Sequence, residues 1–281
     1  MTISFQHVTF QYADGTTALH DLSLDIPTGK KIALLGNNGA GKSTLFQHMN
    51  GLLQPTNGTV LYNDVPLNYK RKGLQTLRQK VGIVFQDPDS QLFSGTVEQD
   101  IAFGPTNLGW DKKIVKQKVD AVIDLLEIEA LRKKPLHFLS LGQKKRVAIA
   151  GVLAMEPELM ILDEPSAGLD GYYTQQIMQI LSTLHTSERT IILSTHDVNF
   201  AYEWADEIIV VSDGQLLYQG DPVHLFKHDT ILKKAHLDTP WLFETTMALI
   251  EKQIIKPLEH FPRSKEALFE LLPTWRAAQF V

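Results

Sequence analysis

A glycine-rich loop at residues 36–43 constrains the fold of this chain more than any other feature. Its sequence, GNNGAGKS, matches the pattern G-x-x-x-x-G-K-S/T in full. The apolar run Lys31–Leu35 precedes the loop and is typical of a parallel strand that is buried on both faces. A helix should follow and end at Asn50-Gly51, which makes a good C-terminal cap. The sequence therefore predicts an α/β fold with a phosphate site at the carboxyl end of a parallel strand.

The residues of this loop indicate how phosphate would be held. Its glycines allow backbone amides to turn inward, and the following helix adds the partial positive charge of its N-terminus. Lys42 should reach the β- and γ-phosphates of a nucleotide, and Ser43 should ligate Mg²⁺. The predicted phosphate contacts are Gly36, Asn37, Asn38, Gly39, Ala40, Gly41, Lys42, Ser43 and Thr44.

Two acidic residues are the candidates for the chemistry at this phosphate site. Asp163 and Glu164 follow the apolar run Leu159–Leu162, so they are expected at the end of a buried strand. There Asp163 would hold Mg²⁺ through water, and Glu164 would act as a general base on the water that attacks the γ-phosphate. A surface-exposed acidic turn before Pro165 is the alternative, and it would be preferred if the phosphate loop were absent.

Apolar patterns predict further strands on both sides of the loop. Alternation in the first 26 residues favours two antiparallel strands, with a turn at Asp14-Gly15 and a register shift near His7. Short apolar runs predict buried strands farther along, and a closing hairpin turns at Asp213-Gly214. The predicted strands are 2–10, 22–26, 31–35, 159–162, 190–193, 208–211 and 216–218.

The remaining segments have helical patterns. Residues 72–140 are interpreted as a mostly helical insertion between strands of the core, in which Asp111 can cap a helix. Apolar residues at helical spacing predict one helix near 115–126 and another near 173–184. From Asp221 onward the pattern is helical and punctuated by prolines, which suggests a C-terminal appendage.

Composition narrows the functional classes. The chain has 281 residues, with 27 Lys and Arg against 32 Asp and Glu, which argues against a nucleic-acid binder that relies on a strong basic field. The absence of cysteine excludes disulfides, thiolate zinc sites and cysteine nucleophiles. No apolar run reaches the roughly 18–20 residues of a membrane helix, and the N-terminus does not resemble a signal peptide. Any work at a membrane is therefore expected to proceed through partners.

The segment Leu139-Ser140-Leu141-Gly142-Gln143 gives the strongest family resemblance. It resembles the LSGGQ signature of ATP-binding cassette (ABC) ATPases, whose motifs all have counterparts in order between about residues 2 and 220. This resemblance implies a RecA-like phosphate-loop core with an antiparallel β-subdomain and a helical subdomain. We therefore expect an ATPase domain at 1–220, with the helical subdomain at about 87–155, and a small helical appendage at 221–281.

The resemblance assigns three residues to the ATP site of the same chain. Tyr12 occupies the position of the family's aromatic residue that stacks on adenine, although a plain strand aromatic is the alternative. Gln86 matches the Q-loop glutamine, which senses Mg²⁺ and the attacking water. His196 matches the switch histidine that contacts the γ-phosphate, although a single histidine after a strand is more often structural.

The resemblance also implies contacts across a head-to-tail dimer. In the family, the signature of one subunit closes over the ATP of the other, which assigns Ser140, Gly142 and Gln143 to the partner's nucleotide. Asp170 belongs to the D-loop, which crosses the dimer interface. Leu141 departs from the family because a glycine is usual there, so function requires that its side chain point away from the nucleotide. Ser140 can still cap the helix that begins here.

Three other segments resemble the ATPases of energy-coupling-factor importers, and they are Val84–Phe93, Ile101–Pro105 and Lys144–Met155. Within the last of these, Lys144–Gly151 is closer to the cobalt and nickel branch, as is Tyr69–Arg78, and Pro240-Trp241-Leu242 resembles the cobalt branch. This implies an ATPase that uses ATP and Mg²⁺ to energise a cobalt importer at the cytoplasmic face of the membrane. Its partners would be a second ATPase subunit, a transmembrane coupling subunit and a substrate-binding membrane subunit, without nucleic acid.

Alternatives to cobalt import stay open at this point. The same subunit would serve equally in a nickel or vitamin importer. A soluble ABC ATPase that acts outside transport is disfavoured by the single cassette and by the separation of about a hundred residues between phosphate loop and signature. A regulatory module that does not hydrolyse ATP is opposed by Lys42, Glu164 and His196.

Two further features carry more than one interpretation. Leu92 and Phe93 would either dock a membrane partner or pack within the helical insertion. His224 and His228 have the i, i+4 spacing of a metal site on one helix face, but no third ligand clearly completes the set, so a solvated face is the preferred interpretation.

Overall fold

A computed structural model describes residues 2–272, in which the chain forms two β-sheets flanked by helices. The strands are β1 (Ile3–Gln11), β2 (Thr17–Ile26), β3 (Lys31–Leu35), β4 (Asn57–Tyr62), β5 (Val65–Pro66), β6 (Val81–Val84), β7 (Leu159–Leu162), β8 (Thr190–Ser194), β9 (Glu207–Ser212) and β10 (Gln215–Gly220). The helices are α1 (Lys42–Met49), α2 (Arg71–Lys80), α3 (Val97–Asn107), α4 (Lys112–Leu125), α5 (Leu141–Leu153), α6 (Gly171–Leu184), α7 (Val198–Trp204), α8 (Pro222–Phe226), α9 (Asp229–Ala235), α10 (Trp241–Glu251) and α11 (Lys265–Leu271).

The central sheet has the strand order β10-β9-β3-β8-β7-β6. Its neighbouring strands are parallel except for the β9–β10 hairpin. Strands β7 and β8 are buried along their whole length, as expected for apolar strands with helices on both faces. Because parallel strands end at the same edge, the residues that follow β3, β6, β7 and β8 meet at one edge of the sheet.

The second sheet is antiparallel and has the order β2-β1-β4-β5. Its β1–β2 pair contains the predicted register shift, since the pairing changes between Phe5 and Val8. His7 takes a left-handed φ of 50° at this bulge, and Asp21 on the opposite strand has a φ of 47°. The shift restores inward burial, because Val8 and Phe10 both face the core after it.

Helices α3, α4 and α5 pack together as a helical layer in the part of the chain between β6 and β7, and the predicted bounds of a helical subdomain at about 87–155 stay a prediction. Asp111 caps α4 as expected, with its carboxylate accepting a hydrogen bond from the amide of Lys113 at 2.8 Å. Arg132 ties the layer together because its guanidinium pairs with three carboxylates, those of Glu98, Asp120 and Glu129.

The prediction of a mostly helical insertion over 72–140 is wrong at β6, which is an edge strand of the central sheet. Residues Val81–Val84 pair in parallel with β7, and α2 precedes them. The strand was missed because Gly82 interrupts its short apolar run and α2 leads into it without a turn signal. Gly82 is required by close packing, since a Cβ there would lie 2.4 Å from Cγ1 of Val152 on α5. Strands β4 and β5 also had no sequence prediction.

The C-terminal helices pack against α7 of the preceding fold. Phe243 on α10 stacks on Phe261 at 5.2 Å and makes an edge contact with Tyr202 of α7 at 6.1 Å. The hydroxyl of Tyr202 donates to the carbonyl of Pro262 at 3.1 Å, and the guanidinium of Arg263 donates to the carbonyl of Ala205 at the end of α7. A boundary near residue 220 stays a prediction, and residues 273–281 of the proposed appendage lie outside the described residues.

This packing predicts that truncation of Phe243 destabilises the whole domain. Phe243→Ala removes a ring that is 4% exposed, so the free energy of unfolding should fall by about 3–5 kcal/mol. Chemical denaturation should reveal the loss in one cooperative transition. Phe269→Ala is the control, because that ring is 54% exposed and its removal should change the free energy by less than about 0.5 kcal/mol. A separate early transition that leaves the main one unchanged would show that the C-terminal helices form an independent unit.

Candidate active site

The phosphate loop lies between β3 and α1, as predicted. Gly41 is the N-cap residue of α1 and has a φ of 98°, a conformation that favours glycine. A Cβ at this position would also lie 2.6 Å from the carbonyl oxygen of Ala18. Because glycine has no side chain to cap the helix, the first amides of α1 are available to an anion.

Lys42 is buried within the loop. Its Nζ donates hydrogen bonds to the carbonyls of Gly36 at 2.6 Å and Asn37 at 3.1 Å. Burial lowers the pKa of the Lys42 ammonium, and the carboxylates of Glu164 and Asp163 oppose that shift. The loop therefore holds a desolvated positive charge close to the acidic pair, which suits it to binding negatively charged phosphate.

Ser194 holds the side chain of Asp163 and the backbone amide of Glu164. Its Oγ donates to Oδ1 of Asp163 at 2.6 Å and accepts from the amide of Glu164 at 2.8 Å. This contact follows from the register, in which Leu162 lies opposite Leu193 and the next residues therefore meet. Sequence reasoning missed Ser194. The available signal was a hydroxyl at the end of a predicted parallel strand, two residues before His196.

Glu164 lies between the two other residues predicted to be catalytic. Gln86 donates from Nε2 to Oε2 of Glu164 at 3.0 Å, and Nε2 of His196 is 2.5 Å from Oε1. These side chains follow β6, β7 and β8, so three parallel strands deliver them to one place. Glu164 itself has a left-handed φ of 44°, a sparsely populated conformation that is often found at functional sites.

Tyr12 lies beside the first turn of α1. Its Oη and Oγ1 of Thr44 are 2.9 Å apart in a hydrogen bond, and its ring makes an edge contact with Phe10 at 4.9 Å. Tyr12 follows β1 and begins the turn to β2, which places it outside the regular strand. An exposed ring next to the phosphate-binding helix agrees with the proposed adenine contact, which stays a prediction.

The oxygen atoms near the loop suit Mg²⁺. Ser43 supplies a hydroxyl in the first turn of α1, Asp163 a carboxylate, and Gln86 an amide oxygen, and such hard oxygen ligands are those that Mg²⁺ prefers. Gln86 uses its nitrogen to bind Glu164, which leaves its oxygen for a ligand. Between residues 2 and 272 no cluster of three His, Asp or Glu side chains is placed to cage a metal. The three oxygen ligands named above would leave the rest of an octahedral Mg²⁺ shell to water and phosphate.

Ser140 caps α5, as the sequence predicted. Its Oγ accepts from the amide of Gln143 at 3.4 Å, and Oε1 of Gln143 accepts from the amide of Ser140 at 3.1 Å, which completes a capping box. The Ser140 proton remains free to be donated to a phosphate. Asp170 likewise caps α6 through the amide of Tyr173 at 2.9 Å. The contacts of these residues with a partner subunit stay predictions.

Leu141 lies against the D-loop of its own chain. A Cβ built on Gly168 would be 3.0 Å from Cδ2 of Leu141, and Leu141 itself is 39% exposed. Gly142 packs on α6, where an added Cβ would be 3.2 Å from the ring of Tyr173. A side chain at position 142 would therefore have to displace the Tyr173 ring slightly, so glycine suits the packing within the chain as well as an approach of nucleotide.

Leu92 and Phe93 differ in burial, and the docking of a partner by either residue stays a prediction. Leu92 packs against the core, whereas Phe93 is 65% exposed and makes an edge contact with Phe103 at 4.6 Å. Phe103 also lines a groove of about 1000 Å³ between α2, β6 and α3. Its apolar lining includes Leu52, Leu74, Phe85, Leu108 and Met155.

The histidine pair does not share one helix, so the spacing argument for a metal site is wrong. His224 lies in α8, while His228 precedes α9 as its N-cap residue. The chain turns between the two positions, and the i, i+4 relation of a continuous helix therefore does not apply.

None of the helices between residues 2 and 272 is long and apolar enough to span a bilayer.

Comparisons with known proteins agree with this geometry. A sequence model of the ABC transporter family matches residues 19–167. The energy-coupling factor transporter ATP-binding protein EcfA of Methanocaldococcus jannaschii is 46% identical over 89% of both chains. A putative ABC transporter ATP-binding protein of Methanosarcina mazei is 47% identical over 84% of this chain, which spans 52% of that relative's length.

Solved structures of ABC transporter ATPases are also similar to this chain. CbiO1 of Clostridium perfringens, part of the ABC transporter complex CbiONQ, superposes with a TM-score of 0.73 at 42% identity, covering 87% of this chain and 98% of CbiO1. A dimeric ATP-binding cassette bound to ADP and Pi superposes with a TM-score of 0.71 at 27% identity, covering 78% and 98% of the two chains. The chain therefore belongs to the ABC transporter family, with the predicted ATP-binding and ATP-hydrolysing fold. Within that family it is a member of the energy-coupling-factor group of ATP-binding proteins.

The role of Ser194 is tested by Ser194→Ala. The change leaves the amide of Glu164 and Oδ1 of Asp163 without their partner in a buried place, at a cost in stability of about 1–3 kcal/mol. Because Glu164 is then less well fixed, kcat for ATP hydrolysis should fall at least about tenfold. The control is Ser182→Ala, which removes only a bond to the Met178 carbonyl on α6. A wild-type kcat in the Ser194→Ala variant would show that Ser194 does not contribute to ATP hydrolysis.

Proposed function

We propose that this chain is the ATP-hydrolysing subunit of an energy-coupling-factor importer of cobalt ions. The observation that carries the proposal is the placement of Glu164 between Gln86 and His196, at the sheet edge that also carries the phosphate loop. The family membership supports the coarser part of this proposal, ATP hydrolysis that energises an importer. The cobalt assignment is the finer part.

The proposed chemistry is transfer of the γ-phosphoryl group to water. The phosphate loop and Lys42 bind and orient the phosphates of ATP, and Tyr12 stacks on adenine. Mg²⁺, held by Ser43, Asp163 and Gln86, would neutralise developing charge on the phosphates. Glu164 accepts a proton from the attacking water on a carboxylate lone pair that its contacts with Gln86 and His196 leave unused. Contact of His196 with the γ-phosphate would replace its present contact with Oε1 of Glu164.

A second ATPase subunit completes each site in this proposal. Ser140, Gly142 and Gln143 would close over the partner's ATP, and Asp170 would lie at the interface. The similarity to a dimeric cassette that binds ADP and Pi supports this arrangement. Leu141 lies on its own D-loop, which leaves Ser140 free to face the partner's nucleotide. ATP binding then favours the closed dimer, and hydrolysis releases it.

The groove beside Gln86 is the proposed docking site for a transmembrane coupling subunit, which would join the ATPase to a substrate-binding membrane subunit. Its apolar lining and the exposed pair Phe93 and Phe103 suit a short helix from such a partner. Phe85 lines the groove and precedes Gln86 directly, so a movement there reaches the ATP site through one residue. The chain would therefore act as a peripheral protein at the cytoplasmic face of the membrane, without a nucleic-acid partner.

The cobalt assignment is supported by Pro240-Trp241-Leu242 and by the similarity to CbiO1 of the CbiONQ complex, while Lys144–Gly151 supports cobalt and nickel alike. The relatives named for the energy-coupling factor are compatible with other solutes. Nickel and vitamins are therefore the competing substrates, and uptake measurements distinguish the three.

The dimer is tested with Glu164→Gln. This change removes the proposed base but keeps the size of the side chain, so hydrolysis should fall by at least about 100-fold while ATP binding persists. The variant should then accumulate as an ATP-bound dimer, which sedimentation would detect with ATP and not with ADP. A variant that remains monomeric at saturating ATP would contradict the shared-site arrangement.

The transport role is tested with Lys42→Ala in cells that carry the complete importer. Loss of the phosphate-binding ammonium should abolish ATP-dependent uptake of radioactive cobalt, while the membrane subunits still assemble. Lys30→Ala, at an exposed position before β3, is the control and should transport normally. Uptake of nickel or a vitamin in place of cobalt would overturn the cobalt assignment alone. Unchanged cobalt uptake in the Lys42 variant would overturn the transport role.

A further inference from the structure

Lys145 is a buried lysine whose contact joins the signature helix to Glu164. It lies in the second turn of α5 and is 3% exposed. Its Nζ donates to the backbone carbonyl of Glu164 at 3.1 Å. Lys145 is therefore tied to the backbone of the proposed general base within the same chain.

The backbone of Glu164 is held from both sides. Its amide donates to Ser194, and its carbonyl accepts from the amide of Ala167 at 3.1 Å as well as from Lys145. Glu164 has a left-handed φ, which persists in a non-glycine residue only when its surroundings fix it. Pro165 follows and has no amide hydrogen to contribute. Lys145 supplies the only one of these bonds that comes from α5.

A purely structural lysine is a poor explanation for this contact. Burial lowers the pKa of the Lys145 ammonium, and the Glu164 and Asp87 carboxylates only partly oppose that shift. A buried ammonium carries a desolvation cost, and an apolar side chain of similar length would fill the same space without it. The feature that such a side chain lacks is the bond to Glu164.

The same helix carries the signature. Ser140 is the N-cap residue of α5, five residues before Lys145, a distance of about 7.5 Å along a helix axis. The first turn of α5 also contacts the D-loop, where Leu141 lies on Gly168 and Gly142 lies near Leu169. A rigid helical turn therefore joins the serine expected at the partner's ATP to the glutamate of this subunit's own site.

We propose that Lys145 is a positioning residue that couples the two ATP sites of the dimer. ATP bound by the partner engages Ser140, which fixes the first turns of α5, and Lys145 then holds the Glu164 backbone in the geometry that hydrolysis requires. This inference rests on the proposed head-to-tail dimer. It extends that proposal by naming the residue through which one site responds to nucleotide in the other.

The test compares ATP hydrolysis by the full chain with that of Lys145→Met, which keeps the length of the side chain but donates no hydrogen bond. We expect kcat to fall about 10- to 100-fold, because the base is misplaced, while KM for ATP stays within about twofold. The Hill coefficient for ATP should fall from about 2 to about 1. Lys145→Arg, which keeps a charged donor, should retain cooperativity. Lys118→Met, which breaks an ion pair with Glu156 on the helical layer, is the charge-loss control.

The outcomes separate this inference from the proposed function. A wild-type chain that neither hydrolyses ATP nor dimerises with it contradicts the proposed function itself. A wild-type chain that dimerises and hydrolyses ATP without cooperativity overturns the coupling alone, and so does a Lys145→Met variant with wild-type kcat and Hill coefficient. If the Met variant melts early, Lys145→Gln, whose side chain is too short for the bond, takes its place under the same criteria. Added to Glu164→Gln, the Met change should leave the ATP-bound dimer intact.

Discussion

The parallel pairing of β6, β7 and β8 is the constraint on which the rest of the site depends. These strands are short and apolar, and the register that buries them also decides which polar residues meet where they end. Gln86, Glu164 and His196 are far apart in the chain and reach one another only because three strands stop at the same edge. A slip of one residue in β7 would move each of Asp163 and Glu164 to the other face of the sheet from its present one. Both acidic residues would then be separated from Ser194.

Many residues of the candidate active site could be predicted from the sequence, because each of its motifs needs a particular local structure. The phosphate loop needs glycine for its backbone and a helix behind it, and the acidic pair needs a buried strand before it, so both could be placed without a structure. The capping roles of Ser140 and Asp111 followed from residue type and position. Strand β6 was missed because Gly82 interrupts its short apolar run and helix α2 leads into it without a turn signal.

Ser194 and Lys145 escaped prediction for a different reason. Each acts through a bond to the backbone or carboxylate of a residue distant in sequence, and neither belongs to a pattern of spacing. Their importance follows from register and from helix placement, which are tertiary properties. The helix-face reading of His224 and His228 failed similarly, because spacing alone does not reveal where one short helix ends and the next begins.

The contact between Leu141 and Gly168 has a consequence for how this sequence can change. Two features disfavour a larger residue at position 168. The backbone there has a left-handed φ of 74°, and a methyl group of Leu141 lies close to the place where a Cβ would be. A glycine at position 141 would remove the contact with the leucine methyl group but would leave the left-handed backbone at position 168 unchanged. Substitutions at the two positions should therefore be interdependent, and the unusual signature of this chain would have narrowed the set of D-loops that it can accept.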